Sequence, residues 1–215
     1  MKNFKFLIVL FVFVLFFSGC KNEFSLSDYV SINRQNIYTA DYKSVRVTAY
    51  FEVSETPQVF DGVKSKTAPQ LTFKLPVSLS QGDYQIECFD AVADFKLDAV
   101  KNVLVATIPV TNAPVDGFDA TVILGSERTT LNFKSEVPTG IITYNKALDS
   151  LYSAQKSYLD GLKTDGGFKA EIILKITVHK GVPYYYVAVA DTNGGFKALL
   201  IDAYTAEVLA IRNVY

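Results

Sequence analysis

Val45-Arg46-Val47-Thr48-Ala49-Tyr50-Phe51-Glu52 carries Val45, Val47, Ala49 and Phe51 at every second position, with Arg46, Thr48, Tyr50 and Glu52 between them. A period of two belongs to a strand with one buried face, because successive side chains leave a strand on opposite sides. Leu71, Phe73 and Leu75 repeat the pattern against Thr72 and Lys74. Shorter apolar runs follow at residues 84–89, 103–110, 120–124 and 130–133. Between the runs stand the turn formers Asp61-Gly62, Gln81-Gly82-Asp83, Asn112-Ala113-Pro114 and Asp116-Gly117. Short strands separated by such turns, with no helical period among them, predict an antiparallel β-sandwich over residues 28–137. Residues 54–69 are polar and long for a connection, and serve either as a binding loop or as a plain link.

Past Pro138-Thr139-Gly140 the period changes. Tyr144, Leu148, Leu151, Tyr152, Tyr158, Leu159 and Leu162 recur at helical spacing, which predicts one amphipathic helix. Ile172, Leu174, Ile176 and Val178 then form one face of a strand, with Glu171, Lys175 and Thr177 on the other and Ile173 an apolar exception. Turns at Gly181-Val182-Pro183 and Asn193-Gly194-Gly195 lead into further strands at residues 184–190, 196–202 and 205–211. A helix and a meander each leave an apolar surface that the other covers, so residues 138–215 are expected to form a small α+β unit. The whole is mainly β with an α+β second half. An internal echo, Thr164-Asp165-Gly166-Gly167-Phe168-Lys169-Ala170 against Thr192-Asn193-Gly194-Gly195-Phe196-Lys197-Ala198, reads as turn chemistry used twice.

The N-terminus has a different logic. Lys2 and Lys5 precede an unbroken apolar run over residues 6–17, followed by Ser18-Gly19-Cys20. A basic start, about a dozen apolar residues and small residues at the end make a secretory signal, and the run is shorter than the roughly 20 residues a membrane span needs. Phe17-Ser18-Gly19-Cys20 resembles the bacterial lipobox, with Phe17 where that pattern usually has Leu. The resemblance implies cleavage after residue 19, lipidation at Cys20 and a tether over residues 20–27, and so an extracytoplasmic protein held on the bacterial cell membrane, or on the outer membrane of a Gram-negative source. Only a thiol can form the thioether to diacylglycerol, and each buried acyl methylene contributes about 0.8 kcal/mol.

Without residues 1–19 the 21 basic residues of the whole chain fall to 19, against 22 acidic ones, a net charge of −3. That balance, and the absence of a basic stripe with interleaved aromatics, argues against nucleic acid as a partner. Of the two cysteines Cys20 goes to lipid, leaving Cys88 without a partner for a disulfide. Cys88 alternates with Tyr84 and Ile86 and reads as a buried structural thiol rather than a nucleophile. His179, the only histidine, is expected at an exposed strand end, which leaves no Ser-His-Asp set; one Cys and one His do not make a zinc site. Asp90, Asp94 and Asp98 recur every four residues, which on a helix would place them on one face. They lie among Phe89, Val92, Phe95 and Leu97 in strand-rich sequence, and no calcium site or carboxylate pair is assigned to them. Tyr184, Tyr185 and Tyr186 divide between two strand faces. No catalytic residue, metal ligand or cofactor site is assigned from the sequence.

Tyr184-Tyr185-Tyr186-Val187-Ala188-Val189, then Gly194-Gly195-Phe196, then Ile201-Asp202-Ala203-Tyr204-Thr205-Ala206-Glu207-Val208-Leu209 resembles the end of a PepSY domain. The match holds at Asp202, Ala203, Thr205, Glu207, Val208 and Leu209, while Ala206 stands where that family prefers glycine. The resemblance covers about a third of the chain and implies a helix on an antiparallel sheet and restraint of an envelope protease, without catalysis. The expectation is a lipid-anchored, non-enzymatic module that binds other envelope proteins. The alternatives are a holder of an envelope ligand or polysaccharide and, third, a carboxylate-based hydrolase.

Overall fold

The computed structural model describes residues 24–77, 82–165 and 167–214. The signal expected at residues 1–19, the expected lipidation position Cys20, residues 21–23 of the expected tether, and Gln81 and Gly166 of the turn signals lie outside the described residues. The chain is mainly β with an α+β second half. A single 3-10 turn at Leu26–Tyr29 leads into β1 (Val30–Tyr42), β2 (Val45–Glu55), β3 (Thr67–Pro76), β4 (Tyr84–Cys88), β5 (Ala91–Asp94) and β6 (Lys96–Asp98). β7 (Val103–Pro109), β8 (Gly117–Leu124) and β9 (Glu127–Ser135) complete the first half. Then come α1 (Tyr144–Ala154), α2 (Lys156–Leu162), β10 (Lys163–Thr164) and β11 (Gly167–Phe168). β12 (Ala170–His179), β13 (Val182–Asp191), β14 (Phe196–Asp202) and β15 (Val208–Val214) close the chain.

In the first half the strands run in the order β6-β7-β3-β2-β1-β9-β8-β4-β5, and the sheet curls until its two ends face each other across one core. The alternation decides what enters that core. Val47, Ala49 and Phe51 of β2 and Leu71, Phe73 and Leu75 of β3 are all buried. Phe118 stacks on Phe133 at 5.0 Å and meets Tyr38 edge-on at 5.1 Å, and each such aromatic side chain contributes about 1.5–3 kcal/mol by leaving water.

The second half is an antiparallel sheet, β12-β13-β14-β15, with both helices on one face. Ile172, Leu174 and Ile176 are completely buried against Leu148, Leu151 and Leu159. Where the sequence predicts one helix, the chain makes two. Gln155 leaves helical geometry at φ −128°, ψ 27°, and its side chain accepts a 2.9 Å hydrogen bond from Lys197 Nζ of β14. The kink turns α2 so that Leu159 still reaches the core. Thr143 caps α1 by accepting from Lys146 N–H at 3.4 Å. At the closing turn Asp202 Oδ1 accepts the N–H groups of Tyr204 and Thr205, each at 2.8 Å, and Ala206 takes φ +68°, a conformation that glycine adopts more readily.

β1 belongs to both halves. Its first residues pair in parallel with β12, Val30 with Ile172 through Arg34 with Lys175. Further along, Tyr38 and Thr39 pair with Ser135 and Lys134 of β9 on that same edge. β2 runs along its other edge throughout. Irregularities after Val30 and after Arg34 shift the register, which lets one strand serve two differently twisted sheets. No helix among the described residues is long and apolar enough to cross a membrane.

Candidate functional site

On the sheet face away from the helices, β12, β1, β2, β3 and β7 lie side by side and form the floor of an open cleft of about 300 Å³. Its side chains are those in the polar positions of the alternating strands. One row crosses four strands as Lys175, Arg34, Glu52 and Gln70. Neighbouring rows hold Tyr50, Thr72 and Thr107, then Thr48, Lys74 and Val105. Glu55, Thr56 and Gln58 from the long loop and Asp98 and Lys101 from the turn before β7 form the walls.

Arg34 is the organising charge. Its guanidinium meets Glu52 at 2.7 Å, with the two side chains only 15% and 11% exposed, and lies 3.7 Å from the Tyr50 ring centre. Lys74 reaches the same ring at 4.6 Å. Asp98 is held by Lys101 at 3.0 Å, and Glu55 accepts the Val59 N–H at 3.3 Å. Lys74 and Lys175 have no ion-pair partner among the described residues. Burial pushes the ammonium pKa of both below the ordinary lysine value, the positive charge of Arg34 adds to the effect, and the nearby Glu52 carboxylate opposes it in part. Thr72 Oγ1, in a residue only 9% exposed, has no hydrogen-bond partner. Lys74 and Lys175 present cations to an open cleft where an anion would pair with them, while Thr72 Oγ1 lies below its accessible surface.

The long loop has a second anchor. Glu171, in an apparently outward position of β12, is completely buried. It accepts Ser31 Oγ at 2.6 Å, the Gly62 N–H at 3.1 Å and Ser65 Oγ at 3.3 Å. Burial raises its pKa, and the three donors oppose that shift in part. The connection between β2 and β3, residues 56–66, thus forms both a wall of the cleft and a cover over Glu171. It is shorter than the 54–69 expected from the sequence because Ser54 and Glu55 pair with Ala68 and Thr67.

The residues singled out from sequence fall elsewhere. Cys88 is 3% exposed, its Sγ lies 3.7 Å from the Asp119 carbonyl, and burial pushes the thiol pKa up to about 12. That environment suits a structural thiol. His179 is exposed at the end of β12. Asp90 sits in the turn after β4 at φ +62°, Asp94 accepts Gln85 Nε2 at 2.7 Å, and Asp98 faces the cleft, so the three do not converge. Tyr185 is buried with its hydroxyl donating to the Ile142 carbonyl at 2.9 Å, while Tyr184 and Tyr186 are half-buried on the opposite face. Arg34, Lys74, Lys175 and Thr72 were missed. The last three occupy ordinary polar positions in alternating strands, and Arg34 lies in a strand whose sequence shows no alternation. No family model matches the sequence, and no curated protein or solved structure matches it either.

Proposed function

We propose that this is a lipid-anchored envelope protein, non-enzymatic, that holds an acidic saccharide in the cleft on the open sheet face. The observation that carries the reading is that Lys74 and Lys175, two half-buried lysines, line the cleft with no carboxylate at ion-pair distance among the described residues. A ligand carboxylate satisfies that demand, and Gln58, Gln70 and Thr107 offer neutral partners for ring hydroxyls. The anchor at Cys20 rests on the lipobox-like Phe17-Ser18-Gly19-Cys20 and places the cleft outside the cytoplasm.

The test is calorimetric titration of the mature chain with a uronic-acid oligosaccharide and with its uncharged counterpart. The acidic sugar is expected to bind at least tenfold more tightly, and Lys175→Met to remove most of that preference. Binding should also weaken as pH rises toward 10.5, because lysines with lowered pKa lose their charge before an ordinary lysine does. Equal binding of the two sugars, or an unchanged preference in Lys175→Met, would refute the reading. Restraint of an envelope protease is the second reading, supported by the PepSY-like closing turn, in which Asp202 accepts the turn's N–H groups and Ala206, standing where that family prefers glycine, takes a positive φ. Protease inhibition that survives Lys175→Met would favour it over the cleft.

A further inference from the structure

The loop that walls the cleft carries a second surface. Residues 56–61 are all exposed, and among the loop side chains Val59, Phe60 and Val63 are 45%, 47% and 58% exposed. A slack loop would turn such side chains inward, but this backbone is pinned. The Gly62 N–H is bound to Glu171, and the Val63 N–H to Asp61 Oδ1 at 2.9 Å. The Ser65 N–H donates to the Asp28 carbonyl at 2.9 Å, and Lys64 Nζ meets the Asp28 carboxylate at 2.7 Å. Gly62 adopts φ +75°, and a Cβ there would stand 2.6 Å from the Phe168 carbonyl oxygen, so the loop lies directly on β11. The three apolar side chains are held outward by the fold.

What they face follows from the tether. Phe24 packs on Phe168 at 5.5 Å and on Tyr29 at 5.8 Å, so the start of the described chain and the loop rest on the same residue. Phe24 is itself 38% exposed. Phe24 stands four positions after Cys20 and Asp28 eight positions after it. At no more than about 3.5 Å per residue, Cys20 lies within about 14 Å of Phe24 and about 28 Å of Asp28. Lys64, paired with Asp28, and Lys66 follow the apolar tip and are exposed. Lys66, without an ion-pair partner among the described residues, offers its cation to anionic headgroups beside the exposed Asp61.

We propose that Val59, Phe60 and Val63 form a membrane-contact surface, laid into the headgroup region of the bilayer to which Cys20 is anchored. The inference rests on the lipidation reading. It also fixes orientation: the loop tip and the Phe24 end of the described chain face the lipid.

The chain contains no tryptophan, so one introduced indole reports its own surroundings alone. The experiment uses the full mature protein, purified from its own membrane and reconstituted in vesicles of phosphatidylethanolamine and phosphatidylglycerol. The variants are Phe60→Trp and, in the turn at the far end of β3, Val100→Trp, at a position 95% exposed. The expected result is a blue-shifted Phe60→Trp emission that brominated lipid quenches at least twofold, with Val100→Trp unchanged. The emission of a fully hydrated indole at position 60, in protein whose N-terminal peptide carries lipid by mass spectrometry, would overturn the contact while leaving the anchor standing. A shift that persists in protein without lipid would overturn the anchor alone. A shift that needs an added protein rather than lipid would assign the surface to a protein partner and overturn the proposal.

Discussion

Glu171 joins the loop, β1 and β12 at one carboxyl group, and its removal should be read most clearly in the loop. Glu171→Ala leaves the Ser31 and Ser65 hydroxyls and the Gly62 N–H without their acceptor, which is expected to cost about 1–3 kcal/mol and to speed amide exchange at residues 62–65. Glu171→Gln keeps a carbonyl acceptor and should cost less. The pH dependence has a definite sign. A carboxyl whose pKa is raised in the fold binds its proton more tightly there than in the unfolded chain, so its contribution is complete below the ordinary glutamate value of 4.5 and is lost as pH rises through the raised value. The stability of wild type relative to Glu171→Gln should therefore fall on going upward from pH 4, and denaturant midpoints of the two proteins across pH 4–7 check it. A flat difference would mean the carboxyl titrates normally. Glu171 also marks where sequence reading stops at this scale. The burial of Cys88 was legible because Tyr84 and Ile86 share its parity. A polar position in a strand, by contrast, reads the same whether water or a distant loop covers it.

At the scale of elements, the helix stripe and β12 make a prediction with a built-in contrast. Leu174→Ala opens space among completely buried neighbours and is expected to cost about 2–5 kcal/mol in denaturant unfolding. Lys175→Met, one residue along, replaces a half-buried unpaired charge with an apolar stem and should leave stability unchanged or raised. A loss of similar size at both positions would mean that both faces of β12 are packed cores. The strands with strict alternation, β2, β3, β4 and β12, were legible for that reason. β1 was not. Val-Ser-Ile-Asn-Arg-Gln-Asn-Ile-Tyr-Thr-Ala-Asp-Tyr keeps no single period, because its register shifts twice and each part answers to a different core. The break at Gln155 was equally hidden, since the apolar spacing continues across it while its cause, Lys197, arrives from β14.

For the whole molecule, the sharing of β1 bears on cooperativity. The sequence divides naturally near Pro138, where the period changes, and the second core nevertheless contains Tyr29 and Val30. A fragment of residues 138–215 would keep β12 to β15 and both helices but lose those side chains and the strand paired to β12. It is expected to show no cooperative thermal transition by circular dichroism, whereas residues 24–215 together should unfold in one. A sharp transition in the fragment would show that β1 only decorates the second sheet. The cationic cleft belongs to this scale too, being assembled from five strands far apart in the chain, which is why no local pattern announces it.

The parallel pairing of β1 with β12 also sets a timetable. Val30 is among the first folded residues to leave the ribosome, and its partner Ile172 comes 142 positions later. At a synthesis rate of about 5–20 residues per second, that gap is on the order of ten seconds. Through the interval the β1–β2 hairpin can form, but the outer edge of residues 30–34 presents unpaired backbone groups to any strand that passes. Delaying collapse until β12 has been made would spare that edge from wrong partners, so this is a chain that gains from a chaperone during its synthesis.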